Sequence, residues 1–293
     1  MEKYELIGER HENGFYRIRA LSGIPSIGVQ TGNLGGFVGG ESNLSQEGDC
    51  WIWDDAEVYD DAKVFDNAQI LNNASVSGHA QIFDYAILWN KAQVSDNVIV
   101  SGYAKVSQHA KIFDNAQVSE DAWIHGFASA SNHTRISGHA QVYGNAVVYG
   151  RTYIFNNAEV YGRASVYDNV KIWGNAKIYD EAQITGYAKI YGDTKIFGNA
   201  KIRSHAKIYG YAKIFADANI DGDAEIFDYA EICGEAKVYG HSRISGEAHI
   251  RGDAEIFGNA EIFGHTHVKS GKIGCDMRIS DDVTEYVDAW YAY

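Results

Sequence analysis

The chain has 293 residues, a formal net charge of −14, and only one proline, Pro25, beside 31 glycines and 20 tyrosines. So acidic a chain disfavours general nucleic-acid binding, which needs clustered Lys and Arg. The scarcity of proline suits a backbone whose N–H groups are mostly committed to sheet hydrogen bonds. Cys50, Cys233 and Cys275 are odd in number and lack metal-site spacing, so no disulfide framework is implied. No stretch approaches the roughly 18 apolar residues of a membrane span, and the charged N-terminus has no signal-peptide core. A cytoplasmic protein without membrane contact is expected.

Residues 1–34 lack any repeat. YELIGERHENGFYRIRAL predicts two strands around a turn at Asn13-Gly14, a strong short-range hairpin signal. Such a hairpin would cap an open sheet edge, which otherwise templates polymerisation. Gly35, Gly36, Gly39 and Gly40 then lead into the first coil. No helix follows this GG-x-x-GG stretch, so a structural role is preferred to phosphate binding. Residues 1–49 are therefore assigned to a hairpin cap and lead-in segment.

From Cys50 to Gly271 the chain divides into 37 consecutive six-residue units of the form small–x–aliphatic–x–(Gly/Asp)–polar, such as AKVFDN at 62–67 and AEIFGN at 254–259. Positions one and three alternate with two and four, as in a strand with one buried face. Positions five and six carry turn residues, since Gly and Asn tolerate positive φ and Asx side chains bond nearby backbone. A six-residue apolar period drifts off any 3.6-residue helical face. Six residues per side instead suit a triangular prism of 18 residues per turn, with about 12 coils and a length of roughly 59 Å. Each inward Ile or Val contributes about 1.5–3 kcal/mol when fully buried. The fold class expected is all-β: a three-sided left-handed parallel β-helix over residues 50–271. A right-handed β-helix is the rival, but its coils usually vary in length. Residues 272–293 are read as a C-terminal cap, with a short amphipathic helix over Val283, Val287 and Trp290.

The pattern [IV]-x-[GD]-N-A-x resembles the hexapeptide repeat of left-handed β-helix proteins, and GGFVGGESNLSQEGDCWIWDDA at 35–56 is similar to a motif of the YdcK-like proteins. The resemblance covers nearly the whole chain. It implies a left-handed β-helix and an acyltransferase label that rests on fold analogy, and fold does not imply function.

Outward residues occupy positions two and four. His125, with Trp123 two residues before it and Ser107 one coil earlier, is the candidate general base if the chain transfers acyl groups; a solvated histidine on a polar ladder is the competing reading. The corner histidines His79, His109, His133 and His139 look interchangeable with other polar residues. His265 and His267 straddle Thr266 without a clear third ligand, so no metal is expected. The repeat has no excursion loop to build an acceptor site, which argues against an enzyme. Outward threonine is essentially limited to Thr185, which excludes an ice-binding ladder.

The most informative outward pattern is aromatic. One face reads Tyr143, Tyr161, Tyr179, Phe197, Phe215 with Lys177, Lys195 and Lys213 alongside; a neighbouring face reads Phe155, Trp173, Tyr191, Tyr209, Phe227 with Lys171, Lys189 and Lys207. Aromatic ladders can simply steady a solenoid. As a surface they would exceed the apolar patch that soluble monomers expose. A non-catalytic binding or assembly rod is therefore expected, self-associating through these residues, with a trimer favoured and no cofactor. An anionic or sugar ligand on the same surface competes with self-association. The alternative function is a trimeric acyltransferase using acetyl-CoA or another acyl-CoA.

Overall fold

The computed structural model describes residues 2–8 and 14–280 and divides into two compact units, Met1–Asn145 and Ala146–Tyr293. Each unit is a three-sided parallel β-solenoid, in agreement with the all-β expectation. None of the described helices is long and apolar enough to cross a membrane.

Nearly every repeat contributes a two-residue strand at positions two and three, and each strand pairs in parallel with the strand 18 residues on. We call the faces I, II and III, beginning in the first unit at Trp51–Ile52, Glu57–Val58 and Lys63–Val64. In the second unit they begin at Glu159–Val160 (I), Val147–Val148 (II) and Tyr153–Ile154 (III). The alternation sorts as expected: position one and position three are buried, and positions two and four face outward. Hydroxyls that replace Ala at position one are buried yet satisfied. Thr134, Thr194 and Ser242 each donate to the carbonyl three residues earlier, at 2.7 Å.

The corners show why position five is Asp, Asn or Gly in all but a few units, Gln108, Glu120, Ser204 and Ala216 being the exceptions up to Gly264. From Asp54 to Gly264 every fifth-position residue has positive φ, between 52° and 81°. These residue types tolerate the left-handed region best. Acidic residues there do more than bend the chain. Asp60, Asp84, Asp96, Asp168 and Asp228 each accept a hydrogen bond from the backbone N–H 18 residues on, at 2.9–3.1 Å. The Asx side chain thus serves the next coil rather than its own turn.

At the N-terminal end, β1 (Tyr4–Ile7) and β2 (Tyr16–Ala20) are antiparallel, and β2 pairs with β3 (Leu34–Val38). β3 then pairs in parallel with Glu57–Val58. The two strands expected of the cap are present; Asn13 of the expected turn lies outside the described residues. Gly35 and Gly36 are structural. A Cβ on either would come within 2.6 Å of the coil beneath, against the carbonyls of Ile52 and Ala56 respectively. Lys3 is buried, its ammonium donating to the carbonyls of Glu47, Gly48 and Cys50 at 3.1–3.2 Å.

The solenoid continues past Gly271. Strands Lys272–Ile273 and Arg278–Ser280 extend faces II and III, but their registers are 17 residues, Glu255↔Lys272 and Glu261↔Arg278. One residue is dropped between Lys269 and Lys272, and a six-residue count stops there although the coil does not. The helix expected over Val283 to Trp290 lies outside the described residues.

Candidate functional site

His125 stands outward on face I, as its position in the repeat requires. Its imidazole lies between the rings of Trp123, 4.2 Å away, and Tyr143, 4.8 Å away and within 3° of parallel. Both ring faces are therefore covered, and burial lowers its pKa from the usual histidine value. That keeps the imidazole neutral at pH 7, as a base must be. Among the described residues Ser107 makes no hydrogen bond to this imidazole. It is buried, and its hydroxyl accepts the indole N–H of Trp123 at 3.1 Å. Among the described residues no carboxylate orients the His125 ring, whereas an effective general base is normally held by such a group.

Four corner histidines are tied to acids one coil earlier, whereas His109 stacks on Phe127 at 4.7 Å. His79, His139, His241 and His265 lie 3.1–3.6 Å from Asp61, Asp121, Asp223 and Glu247. His267 stacks on His249 at 4.8 Å, so His265 and His267 have separate partners.

In the second unit the aromatic columns stack as ladders. On face I, Tyr161, Tyr179, Phe197 and Phe215 follow one another at 4.9 Å. On face III, Phe155, Trp173, Tyr191, Tyr209 and Phe227 follow at 4.4–5.7 Å, all within 6° of parallel. Each ring covers its neighbours, so these side chains are half-buried rather than fully exposed. Burial raises the pKa of Tyr161, Tyr179, Tyr191 and Tyr209 above the usual phenol value.

The lysines beside them divide into two groups. Lys177, Lys207 and Lys213 are already paired within the chain, to Glu159 at 2.8 Å, Glu225 at 2.6 Å and Glu231 at 2.5 Å. These three ammonium groups therefore already have an acidic partner within the chain. A parallel stack brings position-two residues of successive coils one strand spacing apart, ~4.8 Å, within reach of an ion pair. Lys171 lies over the Tyr153 ring at 5.6 Å. Lys171, Lys189 and Lys195 have no acidic side chain within ion-pair distance among the described residues.

Six strongly exposed rings, Tyr85, Tyr103, Phe127, Tyr187, Tyr211 and Tyr229, at 51–63%, were not singled out from the sequence, because they occupy the polar corner position. Tyr211 and Tyr229 stack at 4.9 Å and are 51% and 57% exposed. They stand two residues beyond Tyr209 and Phe227. The signal was present in the sequence as two tyrosines 18 residues apart at position six.

A family model described as the YdcK beta solenoid repeat matches residues 92–108 and 140–152. The chain therefore carries that type of repeat, as the sequence motif suggested. No curated protein matches the sequence. Among solved structures, the chain is similar to a UDP-N-acetylglucosamine acyltransferase from Francisella novicida, with 20% identity, a TM-score of 0.47 and 53% of this chain covered. The match spans 63% of that enzyme's length. A UDP-N-acetylglucosamine O-acyltransferase from Moraxella catarrhalis aligns at 12% identity and a TM-score of 0.31, over 59% of this chain and 68% of the enzyme.

Proposed function

We propose that the chain is a non-catalytic binding and assembly module that associates with further copies of itself through face III of the second unit. The observation that carries this reading is the patch formed by Tyr211 and Tyr229 beside Tyr209 and Phe227. Two of its four rings are more than half exposed. Stacked apolar rings left open to water mark an interaction surface rather than a scaffold ornament. Charge favours a second copy as the occupant. Residues 151–213 carry ten Lys and Arg against five Asp and Glu, whereas residues 214–261 carry three against eleven. Two copies laid in opposite directions along this stretch would match opposite signs, which selects partner and register. A pair laid in opposite directions closes about a two-fold axis, which limits growth to a dimer; the trimer expected from the sequence would instead need its copies parallel.

Light scattering at micromolar concentration tests the reading. An oligomer mass is expected, falling to the monomer in Tyr211→Glu with Tyr229→Glu. A monomeric parent protein, or a double variant that keeps the parent mass, would refute it. The acyltransferase reading is favoured only by the neutral imidazole of His125, whose pKa burial lowers. It requires acetyl-CoA to raise the melting temperature, since a ligand stabilises the state it binds.

A further inference from the structure

A groove of about 520 Å³ runs along the corner between faces II and III of the second unit. One wall is the corner column, in which Arg151, Asn169, Tyr187 and His205 succeed one another at 18-residue intervals. The other is the position-two column of face III, which contributes Lys171 and Lys189. The groove shares none of the four rings of the association patch, although Arg151, Lys171 and Lys189 belong to the basic stretch of residues 151–213.

Three features of this groove call for a ligand. First, Arg151, Lys171 and Lys189 are cations without an acidic side chain in ion-pair range among the described residues, although Lys177, Lys207 and Lys213 have each found one. Second, Tyr187 is 55% exposed and stacks on His205 at 4.8 Å on one side only. Its other face points to the Asn169 rung, where no ring stands. Third, that rung is a gap in the ladder. Arg151 and Tyr187 are two coils apart, about 10 Å at ~4.8 Å per coil. A flat heterocycle in van der Waals contact on both sides needs roughly 7–8 Å, and guanidinium groups stack on such rings.

We propose that this groove binds a phosphorylated nucleoside. The base lies at the Asn169 rung between the Tyr187 ring and the Arg151 guanidinium, with the Asn169 amide at its edge. Lys171 and Lys189 take the phosphates. The volume lies within the range of small-molecule sites, about 300–1,000 Å³. A bare phosphate would leave the open face of Tyr187 and most of the groove unused. The next rungs of the two columns disfavour a longer nucleic acid. Lys207 is held by Glu225, and Asp223 closes the corner column. The strongly acidic coils beyond would repel a continuing polyanion.

The test is calorimetric titration of the full chain with ADP, adenosine, pyrophosphate and a short oligothymidylate, with thermal melts confirming that each variant is folded. ADP should bind at least tenfold more tightly than either adenosine or pyrophosphate. Lys171→Gln with Lys189→Gln should weaken ADP at least tenfold, flatten its salt dependence and leave adenosine unchanged. Tyr187→Ala should weaken ADP and adenosine together. Equal binding of ADP and pyrophosphate would make this a simple anion site and overturn the proposal. So would oligothymidylate binding without ADP binding, ADP binding that survives both variants, or no heat with ADP at millimolar concentration. The titration is repeated on Tyr211→Glu with Tyr229→Glu, where ADP affinity should persist. Loss of self-association and loss of nucleotide binding are thereby read separately.

Discussion

Replacing Ile190 by aspartate puts a carboxylate into the apolar interior of the second unit. Ile190 is fully buried, and its strand registers with Ile172 before it and Ile208 after it. Truncation to alanine would remove apolar contacts and leave a cavity, costing about 2–5 kcal/mol. Aspartate loses at least as much and must also either bury a charge or take up a proton. Protonation of a carboxyl of pKa ~3.9 at pH 7 costs about 4 kcal/mol at 1.36 kcal/mol per unit. The combined cost, roughly 6–9 kcal/mol, is comparable with the whole stability of many domains, about 5–15 kcal/mol. Burial raises the folded-state pKa of the new carboxyl, which sets the sign of the pH dependence. Its extra penalty is small below the unfolded value of ~3.9 and grows as pH rises above it. Urea unfolding of Ile190→Asp and Ile190→Ala at pH 4 and pH 7 checks this. The two variants should differ by several kcal/mol at pH 7 and converge towards pH 4. Hydrogen exchange should show the loss spreading from the coils around residues 172–208, because solenoid repeats are stabilised by nearest neighbours. Equal midpoints for the parent and Ile190→Asp at pH 7, or a gap that does not change with pH, would refute the assignment of an inward column.

Two further outcomes are expected. Burial pushes the Tyr4 phenol up to about 12, and its hydroxyl donates to the Leu44 carbonyl at 2.6 Å. Its contribution is thus fully present below pH 10 and lost as pH rises from 10 to 12. The parent should lose about 2–3 kcal/mol more than Tyr4→Phe over that window, measured by urea midpoints; parallel curves would remove Tyr4 as the cause. At Gly192, with φ +76°, an added Cβ would lie 2.7 Å from the carbonyl oxygen of Gly210. Gly192→Asn carries the same Cβ and should lower stability, but less than a β-branched residue, as asparagine occupies other corners at φ 58–60°. Gly192→Val should cost at least about 1–2 kcal/mol more in thermal melts, and equal melting of the two variants would contradict the corner geometry.

The period of six, the inward Ala and Ile columns and the modulo-18 stacking were all legible in the sequence. They arise from strand alternation and turn chemistry, which act within a few residues and leave a mark in every unit. The columns containing Tyr179, Trp173 and Lys189 could be placed on their faces by counting alone. What each outward residue does there was decided by the tertiary structure. Whether a lysine is free depends on the residue one coil away: Lys207 meets Glu225, while Lys189 stands next to Lys171 and Lys207. Ser107 looked like a companion for His125, but its hydroxyl serves the Trp123 indole, because a large side chain at position two can reach the neighbouring position-four column of the coil before it. The fifth-position acids looked like local turn formers and instead bridge successive coils. The dropped residue before Lys272 broke the count without breaking the coil, since backbone pairing tolerates a shorter corner that a strict repeat does not. The groove at Asn169 arises only where a corner column and a strand column run side by side. Its two walls are two residues apart in the repeat, and its gap appears only when Arg151 and Tyr187, 36 residues apart, are set two coils from each other.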